Sequence, residues 1–95
     1  MSAERGDRAV YAISVAAELV GTNIANLRVY ERRGLVRPER SAGGTRRYSD
    51  DDVERLQRIG DLLADGLNLA GVAMVLRIEC DNERLGREIA RLRGR

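Results

Sequence analysis

Glycines at 21, 34 and 66 and the only proline, Pro38, cut this chain into short amphipathic segments joined by tight turns. The helical period begins at Ile13, with Val15, Ala16 and Leu19 on one face, Ser14 as the predicted cap and Gly21 as the stop. A second helix is predicted from Thr22 or Asn23 to Arg33. Ile24, Leu27 and Tyr30 would face inward, and Gly34 would end it in the left-handed conformation. Two helices about four residues apart with a glycine between them carry a helix-turn-helix signature, although any helical hairpin shows the same spacing.

Pro38 forbids helix and biases Arg37 to extended backbone. Residues 37–40 and 45–48 then flank Ser41-Ala42-Gly43-Gly44, which suits a β-hairpin. Ser49 followed by three aspartates predicts a capped helix, with Asp52 at the capping-box position. Val53, Leu56, Ile59 and Leu63 form its expected buried stripe, and Gly66 ends it. The acids at its start are read as caps and solvated charges, not as a metal cluster. Asn68 would cap a further helix that turns Leu69, Val72, Ala73 and Leu76 inward. After it, Val75, Ile78, Asn82, Leu85, Ile89 and Leu92 alternate steps of three and four, the rhythm of a heptad seam.

A 95-residue chain buries about 64% of its surface, enough for one small core and not for a two-lobed enzyme. That core is aliphatic, since there is no Phe or Trp. All 17 basic residues are Arg, and they are unevenly placed. Residues 28–48 carry a net +5, whereas residues 50–65 carry −4. A basic surface for a polyanion is therefore expected on one stretch only. Without His, with a lone thiol lacking a base and with no paired-carboxylate pocket, catalysis is not expected, nor is a cofactor. One cysteine, Cys80, cannot form an internal disulfide. The charged N-terminus has no apolar signal region, so a soluble cytoplasmic protein is expected, with residues 1–10 as a mobile arm and no membrane partner.

Leu27-Arg28-x-Tyr30-Glu31-x-x-Gly34-Leu35, Pro38-x-Arg40, Gly44-x-Arg46-x-Tyr48 and Gly66-x-Asn68-Leu69 follow one another in order. From about Tyr11 to Glu79 this resembles the MerR family of winged helix-turn-helix transcription regulators. Ile13-Ser14-Val15-Ala16-Ala17-Glu18-Leu19 and Asn68-Leu69-Ala70-Gly71-Val72 look like its heat-shock repressor (HspR-like) branch. The resemblance implies a mainly α fold: helix-turn-helix, short hairpin wing, two further helices and a short C-terminal dimerisation helix. It divides the chain into an arm at 1–10, a DNA-binding domain at 11–79 and a short C-terminal helix at 80–95. It also implies duplex DNA as partner, a homodimer and, from the branch, a chaperone or another regulatory protein. The chain stops at Arg95, so the long dimerisation helix and effector domain of other members are expected to be absent. Asn26 stands where the family usually has Thr, a departure that alters base reading.

Arg28, Arg32 and Arg33 on the second helix and Arg40, Arg46 and Arg47 on the hairpin are expected to approach phosphates. Asn23, Asn26 and Arg28 are the candidate base readers, with Val29 set for a thymine methyl. Arg32 has two alternatives, solvent or a pair with Glu31 or Glu39. Arg46 has no acidic partner at helical spacing. The resemblance places the hydroxyls of Tyr30 and Tyr48 near the DNA backbone; for Tyr30 a ring in the core with a wet hydroxyl is the alternative. Ile78, Asn82, Leu85, Ile89 and Leu92 are the expected dimer seam, against the alternative that this stripe packs on its own domain. Family metal sensors hold a thiolate near the position of Cys80, but zinc takes four N or S ligands and this chain has no second Cys and no His. A bystander thiol is expected, with a bridging redox or soft-metal role as the alternative.

The same features leave two rival functions open. One is an architectural DNA-binding module, excisionase-like or BldC-like, on direct repeats. The other is a protein-interaction module that offers its Arg-rich face to an acidic partner.

Overall fold

The computed structural model describes residues 9–94. Its order is β1 (Ala9–Ala12), α1 (Ile13–Val20), α2 (Ile24–Arg32), β2 (Glu39–Arg40), β3 (Arg46–Ser49), α3 (Asp50–Ala64) and α4 (Leu69–Arg93). This is the expected mainly helical fold, a helix-turn-helix followed by a wing. The antiparallel sheet runs β1-β3-β2. Glu39 and Arg40 pair with Arg47 and Arg46 in the hairpin, and Tyr11 and Ala12 pair with Tyr48 and Arg47.

Strand β1 was not expected. It begins at Ala9, inside the segment assigned to a mobile arm; residues 1–8 of that arm lie outside the described residues. Because β1 is hydrogen-bonded to β3 up to Ala12, the chain enters α1 directly from the sheet. Ala12 is therefore the N-cap residue, without a side-chain bond, and Ser14 lies within the helix instead of capping it.

The other helix ends follow local chemistry. Gly21 adopts φ 72°, and the next amide, Thr22 N–H, reaches Ala17 O at 2.9 Å. Asn23 Oδ1 accepts from Asn26 N–H at 2.8 Å and opens α2. Past Gly34, Leu35 N–H donates to Tyr30 O at 2.9 Å, and Leu35 and Val36 turn into the core. Ser49 and Asp52 form a reciprocal capping box, both bonds 3.0 Å, and Asn68 Oδ1 accepts from Gly71 N–H at 2.8 Å.

The core joins Ala16 and Ala17 of α1, Leu27 and Tyr30 of α2, Leu35, Val36, Tyr48, Leu56, Ile59 and Leu62 of α3, and Val72 and Leu76 of α4. Leu62 takes the place expected of Leu63, which is only partly buried, as is Val53. Both leucines lie within a helical turn of Ile59, and the packing of α3 against its neighbours selects one.

The two last helices expected from the pattern are a single 25-residue helix. Gly86 does not break it, so the boundary expected at 79/80 falls in mid-helix. Arg58 on α3 grips Glu79 at 2.6 Å and so fixes where α4 leaves the domain. Beyond that pair every described residue from Cys80 on is exposed. The alternative in which this stripe packs on its own domain is thereby corrected. Ile78, Leu85, Ile89 and Leu92, 48% to 60% exposed, run along the free helix with exposed Asn82.

Candidate nucleic-acid interface

The second helix and the wing are held as one body, and the joint is Glu31. Its Oε2 accepts from Arg40 of β2 at 3.0 Å, and its Oε1 accepts from Arg46 Nε of β3. Arg40 also donates to Gly44 O at 3.2 Å, tying the strand to the wing turn. Within that turn Gly44 takes φ 83° and its N–H reaches Ser41 O at 2.8 Å. The hydrogen bond from Arg46, and then the charges of Arg46 and Arg40, hold the Glu31 carboxyl below its ordinary value; partial burial opposes them. A carboxylate with a depressed value contributes its stabilisation above the ordinary range and loses it only as pH falls through the depressed one. This joint therefore stays closed throughout the neutral range.

Five arginines of the basic stretch remain unengaged. Among the described residues, the side chains of Arg28, Arg32, Arg33, Arg37 and Arg47 are exposed and make no hydrogen bond or ion pair with the protein. Arg32 thus takes neither of the acids considered for it. Arg40 and Arg46 were expected to reach phosphates; in the structure both are held by Glu31, 9 and 15 positions away. Helical spacing could not reveal that pairing, because it arises only when the wing folds over α2.

The remaining expected contacts divide. Asn26 is exposed and donates from Nδ2 to Thr22 Oγ1 at 2.8 Å, which orients its amide and leaves Oδ1 open. The Oδ1 of Asn23 accepts the helix-cap bond, which fixes its amide at the start of α2. Val29 is partly buried against the core. Tyr48 is fully buried, hydroxyl included, so its expected placement beside the DNA backbone is corrected to one in the core; Tyr30, 8% exposed, takes the alternative considered for it, with its ring in the core and its hydroxyl not enclosed. Tyr30 follows Leu27 at the inward-facing spacing, and Tyr48 faces inward through the alternation of β3. Burial raises the value of both phenols, and among the described residues no group hydrogen-bonds the Tyr48 hydroxyl. The tyrosine that does make a polar tether is Tyr11, whose hydroxyl donates to Asp50 Oδ1 at 2.7 Å. Arg55 Nε donates to Leu35 O and pins the turn after α2 to α3.

Residues 11–78 match the family of MerR HTH family regulatory proteins. The chain belongs to the MerR family. It is 49% identical over 74 residues to the putative heat shock protein HspR of Streptomyces coelicolor, covering 77% of this chain and 49% of the relative. To the HTH-type transcriptional regulator TnrA of Bacillus subtilis it is 41% identical over 71 residues, 75% of this chain and 64% of the other. The chain thus spans about half to two thirds of the length of these curated relatives. Its fold superimposes on the N-terminal part of MtaN, the Bacillus subtilis multidrug transporter activator, with a TM-score of 0.66 and 28% identity, covering 86% of this chain and 87% of that one. It also matches the fold of HiNmlR, a MerR family regulator lacking the sensor domain and bound to promoter DNA. There the TM-score is 0.64 at 24% identity, over 87% and 75% of the two chains. TnrA is by name a transcriptional regulator, the family is one of regulatory proteins and not of enzymes, and this MerR chain is a regulator's DNA-binding domain.

Among the described residues no helix is long and apolar enough to cross a membrane, and no group of three or more His, Cys, Asp or Glu could hold a metal. Cys80 is free and exposed on α4.

Proposed function

We propose that this chain is a sequence-specific repressor that binds an inverted-repeat operator as a homodimer in the cytoplasm. The observation that carries the reading is that α4 projects an unpartnered aliphatic stripe away from a domain whose stretch from α2 through the wing offers five free guanidinium groups. A second copy covers the stripe, and two heads then meet two half-sites. The resemblance of residues 13–19 and 68–72 to the heat-shock repressor branch favours repression. Footprinting on genomic fragments, combined with the mass of the complex, tests this directly: an inverted repeat bound by two chains is the expected result. A ladder of direct repeats would replace it with the architectural reading, and no specific footprint would favour a protein partner.

Specificity and affinity separate by residue. Arg28→Ala is expected to lower specific binding by more than about 1 kcal/mol, because an Arg fork on guanine carries sequence information. Arg47→Ala is expected to weaken specific and random duplexes alike, as a phosphate contact does. Competition titrations on both duplexes check this; unchanged specific affinity for Arg28→Ala removes its base-reading role.

Salt reports the number of backbone contacts. With Arg40 and Arg46 engaged by Glu31 and Arg28 on a base, about three or four phosphate contacts remain per chain, or about six to eight for a dimer. The slope of log K against log salt should then lie between about −5 and −7, and near half that for a single chain. Fluorescence anisotropy over a salt series, at measured stoichiometry, gives the slope. A value shallower than about −2 on specific DNA rules out this face as the backbone-binding surface.

A further inference from the structure

An acid in the middle of a phosphate-binding surface needs a reason. Glu31 stands on α2 between Tyr30 and Arg32, in the stretch with net +5, where an unpaired carboxylate would repel DNA. It is not unpaired: each carboxylate oxygen takes one wing guanidinium, Arg46 on Oε1 and Arg40 on Oε2. A phosphate engages Arg forks through the same kind of charged oxygens. Of the three arginines on β2 and β3, two are thus answered by the protein, and only Arg47 keeps an unengaged side chain.

We propose that Glu31 is an affinity-limiting residue of this interface that stands in for DNA phosphate: it occupies Arg40 and Arg46, holding down the backbone affinity common to all duplexes while it fixes the wing against α2. The proposal rests on the reading of this face as the DNA surface. Its physical content is a count. Each phosphate contact adds about 0.9 to the salt slope, so two guanidinium groups withheld per chain reduce the slope by about 1.8. Base contacts are untouched, so specific and random duplexes lose this backbone affinity alike.

The test is a salt series on a random-sequence duplex with the full chain, Glu31→Gln, Arg40→Gln, Arg47→Gln and the Glu31→Gln/Arg40→Gln double variant. Circular dichroism monitors the fold of each. Glu31→Gln should steepen the slope by about one to two per bound chain and raise low-salt affinity about tenfold. In the double variant about 0.9 of that gain should vanish. In the Glu31 background, Arg40→Gln should move the slope far less than Arg47→Gln, which removes about 0.9. A purely structural strut predicts otherwise: Glu31→Gln would weaken binding to this duplex without steepening the slope, and that outcome overturns the proposal. So does an Arg40→Gln slope loss equal to that of Arg47→Gln, a result readable even if Glu31→Gln fails to fold. If the unaltered chain shows no salt-dependent binding to duplex DNA, the interface reading itself falls, and this inference with it.

Discussion

Leu85→Asp is expected to produce a folded single chain whose operator affinity is about a hundredfold to ten-thousandfold lower, the loss that follows when two linked heads become one. Leu85 lies on α4 beyond the Arg58–Glu79 pair and is 48% exposed, so the carboxylate meets no core atom and the domain keeps its stability. In a seam with Ile78, Ile89 and Leu92 the same carboxylate would lose its water against an apolar partner face, which dimerisation cannot offset. Sedimentation velocity, circular dichroism and anisotropy on one operator decide it together. If the unaltered chain is already monomeric at tens of micromolar, or if the variant remains dimeric, α4 is not the seam. The penalty should far exceed that of Arg47→Ala, which removes one backbone contact per head.

The second large effect is on the fold. Leu27→Ala is expected to cost about 2–5 kcal/mol, the range for deleting a buried leucine side chain, because Leu27 has no exposed surface and sits at the centre of α2. For a domain of this size each kcal/mol shifts Tm by about 4–8 °C, so a fall of at least about 8 °C is expected. Arg28→Ala, one position along, should leave Tm nearly unchanged, since its side chain is exposed. The pair separates the face of α2 that holds the domain from its exposed face. A fall below about 4 °C for Leu27→Ala would mean that α2 is not anchored through this residue.

The buried and exposed faces of α2 are legible in the sequence, and so is most of the helical frame. Asn23, Gly34, Ser49 with Asp52, and Asn68 act through hydrogen bonds or backbone conformations that span at most five residues, so the code for them is local. The exposed stripe from Ile78 to Leu92 was equally readable as a heptad pattern, although not that it continues the preceding helix without a break.

What escaped had partners far away in the chain. Strand β1 is Ala-Val-Tyr-Ala, a sequence with little pattern of its own, and it is a strand because β3 lies beside it. That pairing in turn moved the start of α1 from Ser14 to Ala12. Tyr48 looked like a DNA contact in its motif and proved to be the largest fully buried side chain, because inward or outward on a strand depends on which face the helices cover.

The sequence alone determined the family, through the ordered spacing of its motifs, and the helix boundaries with local caps, the basic stretch and the exposed apolar stripe, since each of these last rests on residues within a few turns of one another. Tertiary structure alone decided which arginines are free to meet a phosphate. Arg46 and Arg47 are adjacent and chemically identical, yet one is held by Glu31 and the other is exposed. Strand alternation turns their side chains to opposite faces, and only the docking of the wing on α2 sets a carboxylate against one of them.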